Sequence, residues 1–482
     1  MVKNSYFKEK GLSASEMAES LELHKSGDIR WDEGKLFGFV YHPGTRYTKI
    51  SENYYKAFFY ESTLNPSTFP SLKEFEKDII RMAADLLHGD AKVTGNVTSG
   101  GTESIFLALK VARDLAREKE KETQGNDFEV ILPVTAHPAF LKACLYLGIK
   151  PVIIPVTEDK RADVNAIEEA ITGRTILIAC SAPCFPYGVV DPVNKIGRIA
   201  RKNDLLCHVD ACMGGFMLPF IEELGYPVPG FDFRVPGVTS ISLDAHKYGY
   251  APKGASIILY RDRKLRKKQF FIHTDWPGGI FASTTFMGTK SGGPVAGCWA
   301  TMRHLGREGY REMAGEVMRA TLAIRDGIQE IEGLKIVGDP DMSVLAFTSE
   351  NTDIFSIGDA LSERGWHLDR LQFPDGLHLT VTKLNVGKEK TFLKDLQKVM
   401  DNTSALNKAY KASKTTAKVA DGLLRVLPPS LFKSLSRLAG SNTHNSGKRS
   451  SYKQAALYGV SATLRNREKM KRFVEDLLDD MY

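Results

Sequence analysis

The sequence lacks the marks of several protein classes. None of its six cysteines forms a C-x-x-C pair, the spacing that zinc ribbons and redox dithiols need, so no metal site is expected and the thiols are interpreted as free and buried in a reducing compartment. No apolar run approaches the roughly 20 residues of a membrane span, and the N terminus has no apolar signal core. The sequence therefore predicts a cytoplasmic protein without a signal peptide or a transmembrane helix.

The common nucleotide-binding loops are absent too. The chain contains no G-x-G, which excludes the dinucleotide fingerprint, and it has no Walker loop. Any phosphate that the chain binds should therefore belong to a smaller cofactor.

The net positive charge of the chain is confined to one segment. Residues 407–454 hold ten Lys or Arg against one acidic residue, a net of +9, whereas the whole chain carries +7 and the remainder about −2. No nucleic-acid partner is predicted, because the charge is not spread over a fold. Within the basic stretch 407–454, the segment 411–451 is interpreted as a flexible solvated loop. The alternative is an interfacial element that touches anionic membrane lipid.

The order of apolar patterns predicts a large α/β unit followed by a small α+β unit. After an arm with one short helix near Ser13–His24, a helix is predicted at Ser71–His88 behind a serine cap, and strands and helices then alternate. Alternation of this kind implies a mainly parallel sheet with helices on both faces. The predicted domains are an arm (1–70), a large domain (71–325) and a small C-terminal domain (326–482).

A glycine-rich turn lies between a predicted strand and an apolar helix. It reads V-T-S-G-G-T-E-S, from Val97 to Ser104. Backbone N–H groups and a helix N terminus can hold one phosphate there, and Thr102 adds a donor. Such a segment can also be only a turn.

Two charged residues follow predicted strands of the same sheet. Asp210 ends a strand in H-V-D-A, where its carboxylate could pair with a protonated ring nitrogen or simply cap the next helix. Lys247 follows the strand Ser240–Leu243 by four residues. A lysine amine beside other cations and partly desolvated has a lowered pKa and can form an imine with an aldehyde.

Together with His137, these segments supply what a flat pyridine ring with an aldehyde and a phosphate needs. The ring requires an anchor for the phosphate, a face to stack on, a countercharge for its nitrogen and an amine for its aldehyde. The sequence therefore predicts pyridoxal 5'-phosphate (PLP) as the cofactor.

Longer strings surround these residues. They are H-V-D-A-C-M-G-G-F (208–216), F-D-F-R-V-P-G-V-T-S-I-S (231–242), A-H-K-Y-G-Y-A-P-K-G (245–254), T-D-W-P-G-G-I-F-A-S (274–283), L-Q-F-P (371–374) and A-L-Y-G (456–459). These strings resemble fold-type I PLP enzymes of the amino-acid decarboxylase group, and within it the sphingosine-1-phosphate lyase family. The resemblance covers nearly the whole chain from about residue 35 and implies an aspartate aminotransferase-like large domain with a small C-terminal α+β domain.

The resemblance implies roles for the cofactor-binding residues. Lys247 would be the Schiff-base lysine, Asp210 the partner of the pyridinium nitrogen and His137 the stacking residue. The phosphate would be held by Gly101 and Thr102, aided by His246. A turn corresponding to Gly288-Thr289-Lys290 reaches the cofactor phosphate of the neighbouring subunit in that family, which implies a homodimer with a shared active site.

The resemblance also implies the reaction and the substrate-binding residues. A phosphorylated long-chain 2-amino-3-hydroxy base would be cleaved by retro-aldol chemistry to a long-chain aldehyde and ethanolamine phosphate. Tyr41 and Lys253 would lie near the reacting substrate and are the candidates for the base that removes the C3 hydroxyl proton; Lys253 could instead only hold the substrate phosphate.

Some positions depart from the family pattern. Where the lyases carry S-N-P-L-H-P, this chain has E-S-T-L-N-P, so Ser62 and Asn65 stand at the phosphate-binding Asn and His, and Lys290 replaces an Arg. The alternatives are a PLP-dependent amino-acid decarboxylase, a lyase for a different β-hydroxy amine, and a catalytically silent lipid-binding or scaffolding protein. The retained Lys247 and Asp210 argue against the last of these.

Overall fold

The computed structural model describes residues 7, 9–119, 127–402, 471, 472, 474, 475, 478 and 479. The basic segment 411–451 and the string at 456–459 lie outside the described residues. Among the described residues, no helix combines the length and the apolar character needed to cross a membrane. All six cysteines are buried and free, as the sequence predicted.

The N-terminal arm contains more helix than its sequence suggested. Its helices are α1 (Ala14–Lys25) and α2 (Thr45–Ala57). Helix α1 has a capping box between Ser13 and Glu16, which agrees with the predicted short helix. Helix α2 was not predicted, although Tyr47, Ile50, Tyr54 and Tyr55 recur at helical spacing. It packs on the long helix of the large domain.

Seven strands form the main sheet of the described chain. They are β1 (Thr94–Thr98), β2 (Glu129–Pro133), β3 (Lys150–Ile154), β4 (Thr175–Ser181), β5 (Leu206–Asp210), β6 (Ser240–Leu243) and β7 (Ser256–Tyr260). Their order is β1-β7-β6-β5-β4-β2-β3, and β7 runs antiparallel to both of its neighbours whereas the other pairs are parallel. The mainly parallel sheet is confirmed.

Helices cover both faces of this sheet. They are α3 (Pro70–Leu86), α4 (Gly101–Lys119), α5 (Ala139–Leu147), α6 (Val164–Glu169), α7 (Val193–Lys202), α8 (Leu218–Glu223), α9 (Arg263–Lys267) and α10 (Gly292–Glu330). The predicted serine cap of α3 is wrong: the helix begins at Pro70, and Phe69 precedes it without a side-chain cap. Proline suits the first turn, where its missing N–H leaves no helical hydrogen bond unmade.

A smaller antiparallel sheet follows α10. A hairpin of β8 (Phe271–His273) and β9 (Phe281–Ser283) precedes that helix, and the later elements are β10 (Leu334–Ile336), β11 (Val344–Ser349), α11 (Ile354–Ser362), β12 (Asp369–Leu371), β13 (Gly376–Thr380) and α12 (Glu389–Asp401). The strand order of this sheet is β10-β11-β13-β12. The arm joins it through Asn385, whose side-chain amide donates to the carbonyls of Gly34 and Leu36.

Candidate active site

A cavity of about 500 Å³ lies where the carboxyl ends of β5 and β6 meet the N terminus of α4. Ligands of α/β sheets collect at this edge. The arm and the small sheet supply its other side, through residues such as Tyr41 and Asp369. Three separate parts of the chain therefore meet around one space.

Lys247 projects into this cavity beside a carboxylate that sequence reasoning missed. Its Nζ lies 3.0 Å from Oδ2 of Asp244, which is buried in the turn that follows β6. Burial lowers the pKa of Lys247, but the charges of Asp244 and Asp210 outweigh burial and raise it overall. The expectation of a lowered pKa is therefore wrong for this state, because the attraction of the neighbouring carboxylate outweighs burial.

Asp210 ends β5 and is held in place by its neighbours. Its Oδ1 accepts hydrogen bonds from the backbone N–H of Cys212 at 3.1 Å and from the Ser242 hydroxyl at 3.2 Å. The alternative that Asp210 caps the next helix is wrong, since α8 begins only at Leu218, after Met217. The buried carboxylate is thus fixed at the cavity wall and free to serve a ligand.

The glycine turn forms the start of α4. The Ser99 N–H and hydroxyl donate to Glu103 Oε2 at 2.6 and 2.7 Å, which closes the turn. A Cβ on Gly101 would stand 2.8 Å from Cys212 Sγ and 3.0 Å from Asp244 Oδ1. Only glycine fits there, and it brings the helix N terminus against the carboxylates beneath the cavity.

His137 lies between β2 and α5 and lines the same cavity. Its Nδ1 accepts a hydrogen bond from the backbone N–H of Ala139 at 3.1 Å. This contact assigns the proton to Nε2 and fixes the plane of the ring. His137 therefore offers an oriented flat surface to a ligand.

Tyr41 and Lys253 meet on the side of the cavity that the arm supplies. The Lys253 amine lies 5.1 Å from the centre of the Tyr41 ring. Burial, followed by the charge of Asp244, raises the pKa of Tyr41, so its hydroxyl keeps its proton. Desolvation, followed by the charge of Lys247, lowers the pKa of Lys253. Of these two candidate bases, the lysine therefore gives up its proton more readily.

Other predicted site residues do not reach this cavity within one chain. Asn65 turns back on its own loop, where Oδ1 accepts from the Ser67 N–H and hydroxyl at 3.0 and 2.6 Å. Ser62 pairs with Ser291 through a backbone bridge. Gly288 and Lys290 line a second cavity of about 590 Å³ instead, and Thr289 lies between them.

Lys290 is not a free cation in this arrangement. Its buried amine donates to the Val97 carbonyl at 2.7 Å and contacts both oxygens of Glu76 at 3.2 Å. Burial raises the pKa of Glu76, but Lys290 outweighs it and lowers the pKa overall. Lys290 therefore ties its loop to β1 and does not point toward a ligand.

The small sheet contributes cavity residues that sequence reasoning did not identify. Asp369 on β12 and Thr380 on β13 line the cavity, as does Phe185 from the loop after β4. No periodicity or spacing marks them. The one usable signal was that Asp369 stands two residues before the L-Q-F-P string.

PLP fits the residues that surround the cavity. Asp244 Oδ1 and His246 Nδ1 are buried without a hydrogen-bond partner, and both side chains line the cavity. The phosphate oxygens of a phosphorylated pyridine can accept from an Nδ1–H of His246, and the first turn of α4 suits the same phosphate. Lys247 and Asp210 lie on the same wall, as an aldehyde and a ring nitrogen of one molecule require.

Three comparisons bear on this site. The pyridoxal-dependent decarboxylase conserved domain matches residues 56–350. Sphingosine-1-phosphate lyase of Dictyostelium discoideum is 44% identical over 405 residues, which cover 83% of this chain and 75% of the relative. Sphingosine-1-phosphate lyase 1 of Rattus norvegicus is 42% identical, with 82% and 70% covered.

A solved structure has the same fold. The sphingosine-1-phosphate lyase of Burkholderia pseudomallei superimposes with a TM-score of 0.80 at 34% sequence identity, covering 88% of this chain and 98% of that one. Because it covers 88% of this chain, the similarity extends over both the large sheet and the small sheet.

Proposed function

Since the chain belongs to the sphingosine-1-phosphate lyase family of pyridoxal-dependent enzymes, we propose that it cleaves a phosphorylated long-chain 2-amino-3-hydroxy base. The products are a long-chain aldehyde and ethanolamine phosphate. The enzyme is a PLP-dependent lyase of fold type I. The observation that carries the proposal is the placement of Lys247, Asp210 and the α4 turn around one cavity that Tyr41 and Lys253 also line.

Different residues of the large domain are proposed to bind different parts of the cofactor. Bound PLP supplies an electron sink for the pair released when a carbon–carbon bond breaks. Lys247 would bind the aldehyde of the cofactor, and Asp210 would pair with its ring nitrogen. His137 would stack on the ring, and Gly101 with Thr102 and His246 would hold the phosphate. The Lys247–Asp244 ion pair keeps the amine oriented before the cofactor arrives.

The side of the cavity that the arm supplies is proposed to bind the substrate. Tyr41 keeps its proton and donates a hydrogen bond to a polar substrate group. Lys253 offers either a cation for the substrate phosphate or, because its pKa is lowered, a proton acceptor. The Tyr41 ring is held in place, since it packs edge-on against Tyr248 with centroids 5.1 Å apart.

The assay that tests this function measures products directly. Purified PLP-loaded protein is incubated with sphingosine 1-phosphate and, separately, with a panel of amino acids. We expect long-chain aldehyde and ethanolamine phosphate from the former and no carbon dioxide from the latter. Carbon dioxide from an amino acid without aldehyde release would instead support the amino-acid decarboxylase alternative.

We also propose that the active site is completed by a second copy of the chain. Support comes from Gly288 and Thr289, which lie away from the Lys247 cavity in one chain, and from exposed apolar side chains nearby, including Trp276, Ile280 and Phe286. Large exposed apolar surface is typical of an interface. Docking of the partner would bring its 288–290 turn to the phosphate and cover these side chains.

Mixed dimers test the shared site. Lys247→Ala and Thr289→Asp are each expected to inactivate the homodimer. A heterodimer of the two would regain one complete site, and thus up to about half of the activity of the unmodified dimer, if the turn acts across the interface. Heterodimers that stay inactive would show that each chain builds its own site.

We further propose a cytoplasmic location with peripheral membrane contact. The six free buried thiols support a reducing compartment, and the basic composition of 411–451 supports attraction to anionic lipid. Sedimentation with vesicles containing phosphatidylserine, compared with neutral vesicles and with a variant lacking 411–451, tests this contact. Equal sedimentation of both proteins would contradict it.

A further inference from the structure

Asp369 brings a carboxylate from the small sheet into the Lys247 cavity. Its side chain keeps 32% of its surface exposed, which is enough for a substrate group to reach it. The guanidinium of the adjacent Arg370 donates a hydrogen bond to a different carboxylate, that of Asp359, at 2.6 Å. Burial raises the pKa of Asp369 to about 6, with Arg370 only partly opposing the shift.

A buried histidine stands directly behind this carboxylate. His378 lies opposite Asp369 in the β12–β13 ladder, and its Nε2 is 2.9 Å from the Phe185 carbonyl oxygen. The carbonyl can only accept, so Nε2 carries the proton and Nδ1 presents a lone pair. Nδ1 is buried without a hydrogen-bond partner and lies 3.9 Å from Asp369 Oδ2. A shift of about 1 Å would bring this pair within hydrogen-bond distance.

The other ionisable groups of the cavity are poorly suited to take a proton from a substrate. Asp244 is paired with Lys247, and Asp210 is hydrogen-bonded beneath the site. Burial raises the pKa values of Tyr41 and Cys212, which therefore keep their protons. Among the described lining residues, the remaining candidates are Lys253 and the imidazoles of His137 and His246. His137 Nδ1 already accepts from the Ala139 N–H, and His246 is proposed to bind the cofactor phosphate, so Lys253 is the principal rival. His378 Nδ1 lies 3.9 Å from Asp369 Oδ2, Arg370 is the charge that acts on this carboxyl, and Tyr41, His246, Lys247 and Lys253 line the same cavity.

From this geometry we propose that Asp369, backed by His378, accepts the proton of the substrate's C3 hydroxyl. The proposal rests on the lyase function and identifies its base. The O–H bond breaks and its proton moves to Asp369 Oδ2. The electron pair left on oxygen forms the aldehyde C=O as the C2–C3 bond breaks, and the pair from that bond would pass to the electron sink that PLP supplies. The protonated carboxyl then donates to His378 Nδ1, whose lone pair gains the partner that it lacks.

A matched set of variants tests this role. Asp369→Asn keeps the size of the side chain and removes the base, so kcat at pH 7.5 should fall about 10²-fold, the usual range for losing a general base. Asp369→Glu should restore part of kcat. The control is Asp339→Asn, the same change at an exposed position of the same part of the chain, and it should leave kcat unchanged.

The pH profile and the binding of a substrate analogue distinguish a catalytic role of Asp369 from a structural one. For the unmodified enzyme, kcat should rise with pH through about 6 as Asp369 ionises, and Asp369→Asn should lose this limb. An inhibitor that lacks the C3 hydroxyl should bind both proteins equally, and the visible absorbance of the cofactor should be the same.

Each result decides between the alternatives. A limb near pH 6 that survives in Asp369→Asn but disappears in Lys253→Gln would overturn the proposal and make Lys253 the base. Loss of analogue binding or of cofactor absorbance in Asp369→Asn would show a structural role and overturn it as well. If the unmodified enzyme released no aldehyde from any sphingoid phosphate, the lyase function itself would fail, and this base assignment with it.

Discussion

The two walls of the Lys247 cavity differ in whether their ionisable groups already have ion-pair or hydrogen-bond partners in the protein. The cofactor wall comprises Gly101, His137, Asp210, Asp244 and Lys247; the substrate wall comprises Phe39, Tyr41, Asp369 and Thr380. On the cofactor wall, carboxylates are paired or hydrogen-bonded before any ligand arrives. On the substrate wall, burial raises the pKa values of Tyr41 and Asp369 without an opposing ion pair of that kind.

This difference indicates two kinds of ligand. A group that stays bound is served by side chains that are already fixed in place. A substrate that arrives and leaves is served here by desolvated groups: burial brings the pKa of Asp369 closer to the working pH, and it keeps the Tyr41 hydroxyl protonated as a hydrogen-bond donor. Substitutions on the cofactor wall should therefore remove the cofactor, and those on the substrate wall should spare it.

The largest effect is expected for Lys247→Ala. Without the amine, the aldehyde of PLP has no covalent partner, so turnover and the yellow colour of the protein should both disappear. Absorbance spectra and aldehyde release measure the two losses. The control is Lys264→Ala in α9, which lies outside the cavity and should retain both; a yellow, active Lys247→Ala enzyme would contradict the assignment.

Asp210→Asn should reduce turnover by about 10²-fold or more, as expected when a fixed electrostatic partner is lost. Asparagine keeps the shape and can still accept from the Cys212 N–H, but it cannot hold a proton on the ring nitrogen by charge. Cofactor affinity, followed by the absorbance of the bound form, should weaken as well. If both kcat and the affinity for the cofactor were unchanged, Asp210 would not contact the cofactor.

A smaller change is expected for Tyr41→Phe on the opposite wall. The ring remains packed against Tyr248, and only one hydrogen-bond donor is removed, so kcat/KM should fall about tenfold. The cofactor absorbance should stay the same. A Tyr41→Phe protein that loses its cofactor would break the distinction between the walls.

The smallest effect is a pH-dependent change in stability caused by Asp369→Asn. The pKa of Asp369 is raised from 3.8 to about 6, so the folded chain holds this proton more tightly than the unfolded chain and loses stability as the pH rises. The advantage of Asp369→Asn in free energy of unfolding should therefore grow by about 1 kcal/mol from pH 5 to pH 8, after allowance for solvent screening. Urea unfolding at both pH values measures it, and an advantage independent of pH would mean that the carboxylate is not desolvated.

The sequence predicted the cofactor wall far better than the substrate wall. The strand–turn–helix patterns place Gly101, Asp210 and Lys247 at one sheet edge, because parallel strands present their carboxyl ends together. Asp369 and Thr380 come from a separate antiparallel sheet, and only the tertiary packing of that sheet on the large domain brings them to the cavity. The Lys247–Asp244 pair was missed for a related reason, since its effect on the pKa depends on an interatomic distance.

The prediction that Ser62, Asn65, Gly288 and Thr289 take part in the site stays a prediction. One chain does not bring them to Lys247, so their roles depend on the arrangement of a second chain. The 411–451 segment also stays a prediction, because it lies outside the described residues. Sequence patterns define local elements well, but they carry little information about contacts between chains.

The central claim is that the Lys247 amine carries the cofactor. Reduction of the purified yellow protein with borohydride, followed by proteolysis and mass spectrometry, measures this directly. The account predicts a single phosphopyridoxyl group on the peptide that contains Lys247. A label on Lys253 or on another lysine, or no covalent label on a protein that retains its cofactor, would contradict it.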